Sequence, residues 1–244
     1  MTPTTGRRRG RRRGRAWFLA LVALVVLIVA AVVADVAARA YAERQIEQRL
    51  SSAGKTEVRI GGFSFLAQYL SGRLDRIEID APALQLHSIA VPARVVALDT
   101  SVGDPPRARQ LTGSFELDQD ALDSLLSRSD GAPSLILGDG TVTSSGRLSV
   151  FGRQLDYTVE FEPGVDGGHL VFTPVGATLG DGGDATALGD LGRFAVSVCA
   201  AQFLPQGVAM TAVSVTPAAM TIEVSGSSVV LSRATLSTTG RCEG

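Results

Sequence analysis

The chain of 244 residues contains no asparagine, a single lysine at Lys55, two histidines at His87 and His169, and two cysteines at Cys199 and Cys242. Several chemistries are excluded by what is missing. Neither histidine stands beside a cysteine or a suitably spaced carboxylate, so no zinc pattern forms and both read as ordinary strand or loop residues. No Gly-x-Ser-x-Gly elbow and no Walker-type phosphate loop occurs, and nothing pairs a nucleophile with a base. Gly138-Asp139-Gly140 and Gly180-Asp181-Gly182-Gly183-Asp184 lack the alternating acids and closing glutamate of a calcium loop, so they read as turns. The sequence nominates no catalytic residue, no metal ligand and no cofactor. The bias towards Arg, Ala and Gly is that of a GC-rich coding sequence.

Positive charge is scarce over most of the length. The formal net charge is −1, but Arg7, Arg8, Arg9, Arg11, Arg12, Arg13 and Arg15 all precede the first acid, Asp35. The remainder holds 16 basic against 24 acidic groups, a net of about −8. Binding to a phosphate backbone draws on clustered Lys and Arg, so no nucleic-acid partner is expected. The basic head instead suits a topogenic segment in contact with anionic lipid.

The run directly after the arginines organises the whole chain. Ala16 to Ala34 carries no charge, no proline and no glycine. As a helix it is about 28 Å long, close to a hydrocarbon core of about 30 Å. Cationic flanks stay on the cytoplasmic side, so residues 1–15 form a cytoplasmic tail, 16–34 a transmembrane helix, and 35–244 an extracytoplasmic domain. The competing reading is a cleaved signal, with Ala38-Arg39-Ala40 as the cleavage site and release into the periplasm. In an exported chain two cysteines suggest one disulfide, Cys199 to Cys242, closing a loop of about 43 residues; two free thiols are the alternative.

Periodicity outlines the domain. Ala38, Ala42, Ile46, Leu50 and Ala53 extend the membrane helix as an amphipathic one, with Arg39, Glu43, Arg44, Glu47 and Arg49 on the other faces and Gly54 as its stop. After a short strand at Glu57 to Gly61, the run Gly61 to Gly72 places Phe65, Leu66, Tyr69 and Leu70 on one helical face between glycines. It reads as a short helix plugging a core or as the apolar wall of a ligand cavity. From Arg73 the period is two, and the parity switch at Pro82 predicts a bulge. Strands are expected over Ala90 to Val102, Ala108 to Leu117, Thr141 to Val150, Leu155 to Phe161, Leu170 to Val175, Val208 to Val215, Ala219 to Ser225 and Val229 to Leu236. Helices are expected after the N-cap Asp118 and around Phe194 to Phe203, with a loop over Gly176 to Gly192. Glu78, Asp80, Glu160 and Glu162 alternate with apolar residues and read as solvated strand faces. The class is α+β, mainly β.

The order of a membrane-proximal helix, a short strand, Gly62-Phe63-Ser64-Phe65-Leu66-Ala67-Gln68-Tyr69-Leu70-Ser71-Gly72, an alternating strand from Arg73 to Asp80, and a late Phe203-Leu204-Pro205-Gln206-Gly207-Val208 resembles the actinobacterial LmeA-like phospholipid-binding family. That family often has proline where Ser64 stands. The resemblance covers about residues 36–236 and implies a tubular lipid-binding type of fold, a curved antiparallel sheet wrapped round a helix and enclosing an apolar channel. It also implies a role in cell-envelope biogenesis, with phospholipid or another envelope lipid as ligand and envelope-biogenesis proteins as partners. It carries over no catalytic set, and no enzyme activity is expected. Phe63, Phe65, Leu66, Tyr69 and Leu70, then Tyr157, Val159 and Phe161, then Met220, Ile222 and Val224 are the expected lipid-lining residues; plain core packing is the alternative for each. A structural envelope protein that docks partners without binding lipid is the rival function.

Overall fold

The computed structural model describes residues 11–50, 55–86, 89–126, 133–150, 153–179, 183–184, 195–232, 234–235 and 238–242. Helix α1 runs unbroken from Arg11 to Leu50, as the absence of glycine and proline between Ala16 and Leu50 allows. Among the described residues it is the one helix long and apolar enough to cross a membrane. The continuation past Ala34 therefore matches the sequence reading, while Ala53 and Gly54 lie outside the described residues.

Two antiparallel sheets come after it. The first contains β1 (Glu57–Gly61), β2 (Arg73–Leu86), β3 (Ile89–Ser101), β4 (Arg107–Asp118), β11 (Val208–Val215) and β12 (Ala219–Val230), in the order β1-β2-β3-β4-β12-β11. The second contains β5 (Ser134–Leu137), β6 (Val142–Val150), β7 (Arg153–Asp166), β8 (His169–Leu179) and β10 (Val196–Cys199), in the order β10-β8-β7-β6-β5, with β9 (Gly183–Asp184) against β8. Helix α2 (Phe65–Ser71) links β1 to β2, and α3 (Gln119–Leu126) follows β4. Register gives the first sheet one apolar face, since Val58 pairs with Ile79, Ile79 with Val95, Ala97 with Leu111, Phe115 with Ile222, and Ile222 with Val213. Cross-strand partners share a side, so this face needs a cover.

Different elements cover its two ends. Ile46 of α1 and Leu231 pack onto Val58, Ile77, Ala97 and Ala108. At the β11–β12 end the second sheet closes on the first. Leu137 and Val142 meet Leu122 of α3, Val215 and Met220 there. Val165 and Leu170 meet Ala200, Leu204, Met210 and Val224.

Several boundaries depart from the pattern reading, each for a local reason. The parity switch at Pro82 is a bulge between Ala81 and Leu84, as expected. The helix foreseen around Phe194 to Phe203 is instead strand β10 and a 3-10 turn, Ala201–Phe203, because Val196 to Cys199 pair with β8 and tertiary pairing overrides local propensity. The two strands foreseen at Ala219 to Ser225 and Val229 to Leu236 are one strand ending at Val230, kept together by pairing with β4 on both sides of Ser228, whose φ is 54°. Strand β8 continues four residues past Val175, into what read as loop, by pairing with β7. Strand β5, too short to show a period, was not foreseen. Cys199 and Cys242 form the disulfide, so the free-thiol alternative falls.

Candidate functional site

The outer edge of β1 is where α1 and the sheet are joined. Val58 and Ile60 donate their outward backbone N–H groups to Glu47 Oε1 at 3.1 Å and Glu43 Oε1 at 2.8 Å. Arg39 donates to the Gly62 carbonyl at 3.0 Å. Asp35 Oδ1 accepts from Ser64 Oγ at 2.8 Å and from the Leu66 N–H at 2.7 Å. The spacing explains the regularity. Four helical residues rise about 6.0 Å and two strand residues about 6.7 Å, so carboxylates at i and i+4 meet alternate N–H groups of an antiparallel edge. The acids placed on the non-apolar faces of the amphipathic helix therefore occupy an edge that would otherwise invite pairing with another chain.

The ladder ends at α2, where the glycines and polar residues of the Gly61–Gly72 run have defined tasks. Gly62 adopts φ 110°, and a Cβ there would lie 2.1 Å from Gln68 Nε2. Ser64 caps α2 by accepting from the Ala67 N–H, and Gly72 closes it at φ 74°. Gln68, buried, donates to the Gly61 carbonyl at 3.1 Å and accepts from the Asp75 N–H at 2.7 Å. The buried face of α2 is thus Phe65 and Gln68. Phe63 is fully exposed, Leu70 84% and Tyr69 54%, and Leu66 is exposed as well.

The other two groups of expected lining residues come together elsewhere. Tyr157, Val159 and Phe161 share one side of β7 and are half-buried, whereas Thr158 and Glu160 on the opposite side are exposed. The Phe161 ring meets Phe172 edge-on at 6.4 Å, and Phe172 packs on the cluster that contains Met220 and Ile222. Tyr157 lies across Gly146, its cross-strand partner: a Cβ at Gly146 would fall 2.8 Å from the phenol oxygen. Met220 and Val224 are buried in the core between the sheets, and Ile222 is half-buried beside them. Phe161, through Phe172, joins this side of β7 to Met220 and Ile222. The α2 group lies four strands away, about 19 Å across the sheet.

A polar surface lies on the outer side of the first sheet. A cleft of about 430 Å³ is lined by Glu57, Arg59, Asp80, Arg94 and Glu116 among others. Four of these five charges are paired with one another: Arg94 Nε lies 2.6 Å from Asp80 Oδ1, and Arg59 lies 3.2 Å from Glu57 and 3.8 Å from Asp80. The Asp80 hydrogen bond makes the Arg94 guanidinium hold its proton more firmly than usual. His169 lies with the sulfurs of Cys199 and Cys242 within 4.8 Å, but the disulfide removes both as thiolate ligands. His87 lies outside the described residues. Glu160, read as solvated, accepts from Thr141 Oγ1 at 2.7 Å.

The described residues thus combine an apolar interior, a half-buried apolar side of β7 and an N-terminal apolar helix. A family model described as LmeA-like phospholipid-binding matches residues 31–225. The chain belongs to this family. The match begins in the last turn of the apolar run, takes in the α1–β1 ladder, α2 and both sheets, and stops within β12, so Cys242 lies beyond it. Neither the curated proteins nor the solved structures give a match. Where the family often has proline, Ser64 here supplies a cap and a bond to Asp35. Pattern reasoning missed Asp35, Glu43, Glu47, Gln68 and Gly146. Only the i, i+4 spacing of Glu43 and Glu47 ahead of a short strand signalled the ladder.

Proposed function

We propose that the chain is a membrane-anchored, non-enzymatic phospholipid-binding protein whose extracytoplasmic domain holds or transfers lipid during cell-envelope biogenesis. The observation that carries the reading is the half-open apolar side of β7, Tyr157, Val159 and Phe161, facing the inter-sheet core of a chain in a phospholipid-binding family. Each buried methylene is worth about 0.8 kcal/mol, so acyl chains leave a bilayer only into an equivalent apolar surface. The two apolar sheet faces, closed by the ligand itself, supply such a sheath, and this would be the tubular enclosure implied by the family. Tyr157, Val159, Phe161 and Ile222 are its lining; Met220 and Val224 are the packed floor beneath.

The test uses the full chain in nanodiscs containing a phospholipid with a photoreactive group in its acyl chain. Crosslinks on the β7 segment that Val159→Asp abolishes, with the fold retained by circular dichroism, support the reading. Crosslinks on α1 alone would refute it. Weight would then pass to a docking role, which the exposed Val196, Val198 and Phe203 at the β10 edge favour.

A further inference from the structure

We infer that α2 is a second membrane contact: an interfacial foot whose Phe63, Leu66, Tyr69 and Leu70 enter the leaflet from which α1 emerges. The inference rests on α1 being the anchor and goes beyond lipid binding by the sheets.

Position is the first argument. The apolar run ends at Ala34, and the next residue, Asp35, holds both Ser64 Oγ and the Leu66 N–H. The N-terminus of α2 is therefore fastened to the first turn of α1 outside the hydrocarbon. Each interfacial layer is about 5–8 Å thick, so a segment bonded one residue beyond the span lies within it. β1 descends along α1 to this point and β2 leaves from it, which makes α2 the part of the domain held nearest the bilayer.

Chemistry is the second. A seven-residue helix that buries one phenylalanine and one glutamine turns three large apolar side chains outward, Leu66, Tyr69 and Leu70, and Phe63 just before it makes a fourth. Val102, exposed, is held beside them because its N–H donates to the Gly72 carbonyl at 2.9 Å. Arg73, exposed, comes directly after. An apolar surface ending in a basic residue suits acyl chains below and anionic headgroups above. In water the same surface would be an aggregation liability. Continuity with the span selects the bilayer as its occupant over a protein partner.

The experiment places an environment-sensitive thiol probe in the full chain, in phospholipid vesicles whose lipids carry a quencher high in the acyl chain. Both native cysteines are in the disulfide, so an introduced cysteine is the single free thiol. Three variants are compared: Leu70→Cys on α2, Leu24→Cys in the span, and Ile136→Cys on exposed β5, about 30 Å along the strands from α2. The foot predicts that the α2 probe shifts to the blue and loses most of its emission to the shallow quencher, while the β5 probe keeps its own. If the span probe answers to a deep quencher and the α2 probe behaves like the β5 probe, the foot is wrong and the anchor stands. A blue-shifted α2 probe that lipid quenchers do not touch points to a protein contact and also overturns it. A span probe in water removes anchor and foot together. Crosslinking at β7 is independent of all four outcomes.

Discussion

Glu43→Ala with Glu47→Ala should loosen the domain from its helix without unfolding the sheet. Each substitution removes the acceptor of one backbone N–H on the β1 edge, at 2.8 Å for Ile60 and 3.1 Å for Val58, both partly buried. A hydrogen bond to a charged group contributes about 1.5–3 kcal/mol. Water can reach a partly buried edge, so the lower value applies, and the pair is worth about 3 kcal/mol if the two add; close neighbours depart from additivity. That is about a hundredfold in the opening equilibrium. The assay is amide hydrogen exchange of the full chain, followed at Val58 and Ile60. Both amides should exchange about a hundredfold faster in the double alanine variant, while amides in the β7–β8 pairing keep their protection. Glu43→Gln with Glu47→Gln keeps a carbonyl acceptor and should lose much less. Unchanged protection at both amides in the alanine variant would refute the ladder as the joint between α1 and the first sheet.

Three further outcomes rest on single contacts. Gly146→Ala should destabilise the protein by about 1–3 kcal/mol, because its Cβ collides with the Tyr157 ring, and should cost much less in a Tyr157→Leu background; equal losses in thermal unfolding would break the account. Gln68→Ala strands the Gly61 carbonyl and the Asp75 N–H, so about 1–3 kcal/mol should be lost, and proteolysis should first cut near α2. Replacing both Cys199 and Cys242 by serine reopens a loop of 43 residues, whose closure entropy is worth about 4 kcal/mol; a denaturant midpoint that does not move would contradict it.

How far the sequence could be read depended on whether a residue's partner was local. The apolar run, the strand periods and the bulge at Pro82 are encoded by neighbours one to four positions away, and they match the structure. Asp118 as a cap, accepting from the Ala121 N–H at 2.8 Å, is equally local. The ladder pairs residues 11 to 31 positions apart, and an acid on an amphipathic helix looks the same whether it meets water or a strand edge. Phe65, Leu66, Tyr69 and Leu70 show the limit from the other side. Their spacing identified a helix with an apolar surface, but Gln68, polar in composition, takes the buried position because two backbone groups need it. Val196 to Cys199 became a strand only because β8 offered a free edge.

The ladder also bears on whether the N-terminal segment is removed. Cleavage after Ala38-Arg39-Ala40 would take away Asp35 and Arg39, leaving the Ser64 hydroxyl, the Leu66 N–H and the Gly62 carbonyl without the partners that hold α2. A signal segment has no reason to carry residues that brace the mature fold. An anchor does, since the bonds from Asp35 through Glu47 fasten α1 to β1 and α2. Protein recovered from membranes should therefore keep its arginine-rich N-terminus, and Asp35→Ala should leave the chain in the membrane while speeding proteolysis at α2. A mature N-terminus at Tyr41, found by sequencing, would show that the domain folds without half of its ladder. If the proposed anchor is kept, the domain cannot diffuse away with a lipid, and the proposed transfer becomes a hand-over to a neighbouring acceptor within reach of the tether.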